Sequence, residues 1–68
     1  MLNFKKLKTL ILLAKQVVLA LEQTANAPGP EKKRMALQML AELARANGLD
    51  PPQPLMDAVI EAAVRLTK

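Results

Sequence analysis

The chain has 68 residues, a formal net charge of +4, and neither cysteine nor histidine. A chain this short makes one domain at most and buries only about 60% of the surface its unfolded form exposes. The missing residue types exclude disulfides, thiolate chemistry and ordinary zinc sites, which leaves close helix packing or association with another chain to reinforce it.

Apolar residues make up 51% of the chain, and Phe4 is its single aromatic residue. Ala, Leu and Met dominate, and these are strong helix formers. β-branched residues never alternate over a useful span. The chain therefore reads as all-α, a small three-helix bundle.

The first helix is expected over about residues 3–24. Leu7, Leu10, Ile11, Ala14, Val17, Val18 and Leu21 follow the i, i+3, i+4, i+7 rule and form one stripe, widened by Leu13 and Ala20. The segment Asn26-Ala27-Pro28-Gly29-Pro30 ends it, because proline lacks an amide donor and disfavours α geometry in the residue before it.

The second helix is expected over about 30–47, with Pro30 in its first turn and Glu31 at the positive end of the dipole. Its expected apolar face collects Met35, Ala36, Met39, Leu40, Leu43 and Ala44, with Leu37 at one margin. Asn47-Gly48-Leu49 has the form of a C-terminal cap, with Gly48 left-handed and Leu49 folding back onto the helix.

A rigid turn at 50–54 leads into the third helix, expected over about 51–67, with Asp50 as a candidate cap answered by Gln53, or with a later start at Pro54. Leu55, Met56, Val59, Ile60, Ala62, Ala63, Val64 and Leu66 form its apolar side. Asp57, Glu61 and Arg65 lie opposite, with Glu61 and Arg65 spaced to pair at i, i+4. The tight Gly-Pro connection predicts that helices two and three form a tight hairpin. No internal repeat or domain boundary is evident.

The most apolar stretch, KTLILLAKQVVLAL at 8–21, raises the question of a membrane. A spanning helix needs about 20 mainly apolar residues. Here the longest uninterrupted run is 9–14, closed by Lys15. A charge at mid-bilayer costs ~2.5–3.5 kcal/mol even on the lenient insertion scale. No small-residue cleavage site follows, so neither a span nor a signal peptide is expected.

Packing of the main stripe leaves Leu12 and Leu19 unexplained. They share their face with Lys5, Lys8 and Lys15, so Lys8, Leu12, Lys15 and Leu19 make a second row. Leucines flanked by lysines suit self-association or an anionic membrane surface, and single exposed leucines are also common on small proteins.

Chemistry is sparse. With no serine, cysteine or histidine, no nucleophile–base pair can be built, and two glycines are too few for a phosphate-cradling loop. Asp57 and Glu61 share the spacing of a paired-carboxylate site, but helix solvation accounts for them. An enzyme is not expected, nor any cofactor, metal or small-molecule ligand. The triplet Lys32-Lys33-Arg34 could meet nucleic acid, but it opposes the helix dipole, and Asp57 and Glu61 on the third helix would repel phosphate. It reads better as a solvated face.

The chain resembles the soluble C-terminal region of the LL-H-type phage holins, holin superfamily 6. The residues that carry the resemblance are KQVVLALE at 15–22, a Gly/Pro break, EKKRMAL at 31–37, ANGL at 46–49 and LMDAVIEAAV at 55–64, together covering roughly 14–66. The resemblance implies a non-enzymatic role in phage-encoded host lysis, in which holins accumulate in the cytoplasmic membrane and release the endolysin. Holins of this family carry a transmembrane helix ahead of this region, and none is expected in this chain. The expectation is a soluble portion, or a related chain without the anchor, located in the cytoplasm or at the cytoplasmic face of the membrane. It would mediate or regulate assembly there. The alternative is a small protein–protein interaction or nucleic-acid-binding module.

Overall fold

A computed structural model describes residues 4–24, 26 and 28–67. Three helices, α1 (Phe4–Thr24), α2 (Gly29–Ala46) and α3 (Gln53–Thr67), pack against one another as a small all-α bundle, with no strand among the described residues. Asn3, included in the expected first helix, and Ala25 and Ala27 lie outside the described residues. α2 is displaced by one residue toward the N-terminus relative to its expected bounds, and α3 begins two residues later.

α1 has 21 residues, which at about 1.5 Å each run nearly the full 34 Å length of the bundle. Its stripe buries Leu10, Ala14, Val17, Val18 and Leu21, with Leu7, Ile11 and Leu13 half-buried beside them. Ala20 is exposed and does not widen the stripe.

Local chemistry sets the ends of the next helix. Pro28 is extended at φ −60°, ψ 157°, and its carbonyl accepts the Lys32 amide at 2.9 Å. Pro30 follows in the first turn, where its missing N–H has no intrahelical partner to lose. At the far end Gly48 adopts φ 75°. The Leu49 amide donates to the Ala44 carbonyl at 2.8 Å and the Gly48 amide to that of Arg45 at 3.1 Å. This is the paired bonding of a Schellman cap, and Leu49 is buried as its apolar latch. At the start of α3 the Pro52 carbonyl accepts both the Leu55 and Met56 amides at 3.1 Å. Asp50 makes no capping hydrogen bond among the described residues, so the expected capping box does not form.

The turn after Gly48 joins α2 and α3 as a hairpin, yet the bundle is organised around α1. That helix packs more extensively on α3 and on α2 than those two pack on each other. The core joins its stripe to Ala36, Leu40 and Ala44 of α2, to Leu49, and to Val59, Ile60 and Ala63 of α3. Leu10, Leu40, Ile60 and Val17 are the largest side chains fully enclosed.

The orientation of α2 departs from the sequence reading. Met35, Met39 and Leu43, expected on the apolar face, are 37–40% exposed, while Leu37 turns inward to half-burial. The helix is rotated so that the row Ala36, Leu40, Ala44 sits at its centre of contact. Alanine at both ends of that row lets neighbouring backbones approach closely, and Leu40 fills the space between them. Burying Leu40 contributes about 1.5–3 kcal/mol. On α3, Leu66 is exposed and Ala62 lies outside the core, which narrows the apolar side to Val59, Ile60 and Ala63 with Leu55, Met56 and Val64 at its margins.

Candidate interaction surface on the outer face of α1

Leu12 is 57% exposed and Leu19 45%, on the side of α1 away from the core. Their position follows from helical spacing: with Leu10, Ala14 and Val17 turned inward, residues 12 and 19 are carried outward. Lys8 is exposed, and its ammonium lies 5.6 Å from the centroid of the Phe4 ring, within cation–π range. Lys15 is half-buried. The four residues Lys8, Leu12, Lys15 and Leu19 thus share one side of the molecule. Phe4–Leu21 contains no acidic residue, so this face is uniformly cationic around its two leucines.

The rotation of α2 leaves a second apolar ridge partly exposed. Met35, Met39 and Leu43 stand at i, i+4 and i+8, all partly exposed. Lys32 fixes where this ridge lies. Its ammonium is 3.7 Å from a Glu22 carboxylate oxygen, which turns the Lys32 edge of α2 toward α1. Met35, Met39 and Leu43 follow Lys32 by three, seven and eleven residues and so share that edge. Both ridges therefore flank the line where α1 meets α2.

The basic triplet is divided among different neighbours. Lys33 points the other way, toward α3, with its ammonium 2.7 Å from Asp57 Oδ1 and 2.9 Å from Glu61 Oε1. The adjacent carboxylate of Asp57, then that of Glu61, raises the Lys33 pKa above its ordinary value of 10.5. Asp57 Oδ1 is shielded from water and makes no hydrogen bond of good geometry, so the adjacent ammonium is what compensates its charge. Glu61 therefore pairs with Lys33, not with Arg65 as its spacing suggested. The paired carboxylates are occupied by an internal ion pair, and of the triplet only Arg34 is left without an ionic partner among the described residues.

Between the C-terminal ends of α1 and α3 and the start of α2 lies an open cleft of about 460 Å³, with Val18, Leu21, Ile60 and Val64 on its floor and Lys32 and Arg65 at its rim. It contains no group able to act as nucleophile and base together. Among the described residues no cluster of three potential metal ligands occurs, and no helix is long and apolar enough to cross a membrane.

The described residues thus form a small bundle with intramolecular ion pairs and two partly exposed apolar ridges. The family model of bacteriophage holins of superfamily 6 (Holin_LLH) matches residues 2–68, and the chain belongs to that family. The holin family is not enzymatic. The match reaches further toward the N-terminus than the resemblance read from the motifs, and takes in the whole Lys8, Leu12, Lys15, Leu19 row. No curated protein and no solved structure matches the chain significantly.

Proposed function

We propose that this domain brings holin subunits together at the cytoplasmic face of the membrane, through the outer face of α1, and so takes part in the timing of phage-encoded host lysis. The observation that carries this reading is the holin family match over residues 2–68, which includes that face. Two leucines about half exposed, on a domain too small to bury much apolar surface, support a contact between chains. The surrounding lysines suit a location near anionic headgroups, each adding about 1 kcal/mol of attraction at low salt.

Sedimentation velocity over a range of concentrations tests the proposal. The wild type is expected to populate an oligomer, and Leu12→Glu combined with Leu19→Glu to lower that fraction while retaining full helicity. A wild type that stays monomeric at high concentration overturns subunit assembly. Flotation with anionic vesicles on the same pair of proteins identifies the competing case: salt-sensitive binding by a monomer would assign the face to lipid instead.

A further inference from the structure

The net charge of +4 resides in the first helix. Lys5, Lys6, Lys8 and Lys15 fall within residues 1–21 with no carboxylate among them, whereas residues 22–68 carry six charges of each sign. Three of these four lysines lie in residues 4–8, all exposed, and neither Lys5 nor Lys8 has an ionic partner among the described residues. At about 100° per residue they spread over about 160° of the helix circumference, a collar around one end of α1 instead of a stripe along it. Phe4, at 74%, is the most exposed large apolar side chain described, and Lys8 stands over its ring. α2 runs back along α1 from the Glu22–Lys32 contact and ends near the level of this collar. The turn that follows carries a single carboxylate, Asp50, answered in sign by Arg45.

From this we infer that the N-terminal end of α1 is a lipid-docking tip: Phe4 enters the boundary between headgroups and acyl chains of an anionic bilayer, and Lys5, Lys6 and Lys8 lie among its phosphates. The inference rests on the membrane location proposed above and names the residues that hold the domain there. A collar of one sign calls for an anionic partner. The aromatic ring set within it selects lipid over duplex nucleic acid. Beneath the phosphates of a bilayer lies apolar matter that takes the ring out of water, whereas the bases of a duplex are stacked out of its reach. Lysine stems are long enough to leave their ammonium groups at the headgroups while Phe4 sits deeper.

Distances along α1 separate this tip from the contact between chains. Interfacial segments enter a bilayer by about 5–10 Å. At about 1.5 Å per residue that depth takes in residues 4–8 and stops short of Leu12 and Leu19, which lie about 12 and 22 Å from Phe4 along the helix. The domain therefore stands on the bilayer by one end, with both leucines left clear. Docking on lipid and association of chains do not compete for the same side chains.

The chain contains no tryptophan, so a single introduced one reports its own surroundings. Phe4→Trp is compared with Leu66→Trp, an exposed site in the last turn of α3 at the opposite end of the bundle. Each is titrated with vesicles of phosphatidylcholine alone and of phosphatidylcholine mixed with phosphatidylglycerol. The expected result is a blue shift of the Phe4→Trp emission with the anionic vesicles only, reversed by high salt, and no shift at Leu66→Trp. Lys5→Glu combined with Lys6→Glu should lower partition into the anionic vesicles by more than about tenfold. Phe4→Ser should lower it several-fold without changing its salt dependence. A wild type that binds these vesicles while the tryptophan at position 4 stays in water overturns the tip and leaves the membrane location standing. A wild type that ignores them at low salt overturns both, and leaves subunit assembly to be decided by sedimentation. A larger shift at position 4 with duplex DNA than with vesicles overturns the tip in favour of nucleic acid.

Discussion

Lys33 on α2 is held between Asp57 and Glu61 on α3, 2.7 Å and 2.9 Å from their oxygens, and this is the ionic tie across the hairpin. Because the Lys33 pKa is raised in the folded chain, its contribution to stability is fully present below the unfolded value near 10.5 and is lost as pH rises through the higher folded value. Lys33→Gln should therefore lower the urea midpoint at neutral pH, with the difference from wild type shrinking in strongly alkaline solution. The pair is partly open to water, so the effect should be small beside that of a core truncation. A difference that grows with alkaline pH would contradict this assignment.

The rotation of α2 separates two leucines of similar sequence context. Leu40 is fully buried and Leu43 is 37% exposed. Leu40→Ala should cost about 2–5 kcal/mol of unfolding free energy, a large share of the total for a domain this small. Leu43→Ala, measured as a dilute monomer, should change it by about 0.5 kcal/mol. Chemical denaturation followed by circular dichroism gives both values. Equal costs would mean that α2 faces the core as its hydrophobic pattern suggested.

Gly48 caps α2 at φ 75°, and an added Cβ would meet no atom within 4 Å. The penalty of Gly48→Ala is therefore conformational, about 1–2 kcal/mol for placing a β-carbon in the left-handed region. Gly48→Asn should recover part of that loss, since asparagine tolerates this geometry better than alanine. Comparing the urea midpoints of the two variants checks both statements. An alanine variant as stable as wild type would show that the turn relaxes to another form.

How far the fold could be read from residues differs between helices. α1 was legible because most of its buried positions are large aliphatic ones: Leu10, Val17, Val18 and Leu21 announce the stripe, and Leu12 and Leu19, which fall off it, are exposed. The Gly48 turn was legible because one residue type meets a conformational demand. On α2 two apolar rows lie side by side, and pattern alone favours the bulkier Met35, Met39 and Leu43 over a row containing Ala36 and Ala44. Which row turns inward is decided by how closely α1 and α3 approach and by the opposed pulls on Lys32 and Lys33. Those are contacts between residues distant in sequence, as is the Lys33–Glu61 pair that replaced the local Glu61–Arg65 spacing. The α1 half of the candidate surface was thus visible in the sequence, and the α2 half was not.

The most direct measurement on subunit association through the exposed ridges is thermal unfolding by circular dichroism over a wide range of protein concentration. Association of folded chains stabilises them by mass action, so the wild-type midpoint should rise with concentration. The variant carrying both Leu12→Glu and Leu19→Glu should match the wild type in helicity at low concentration and show a midpoint independent of concentration. A wild-type midpoint that does not move from the most dilute to the most concentrated sample would contradict the account.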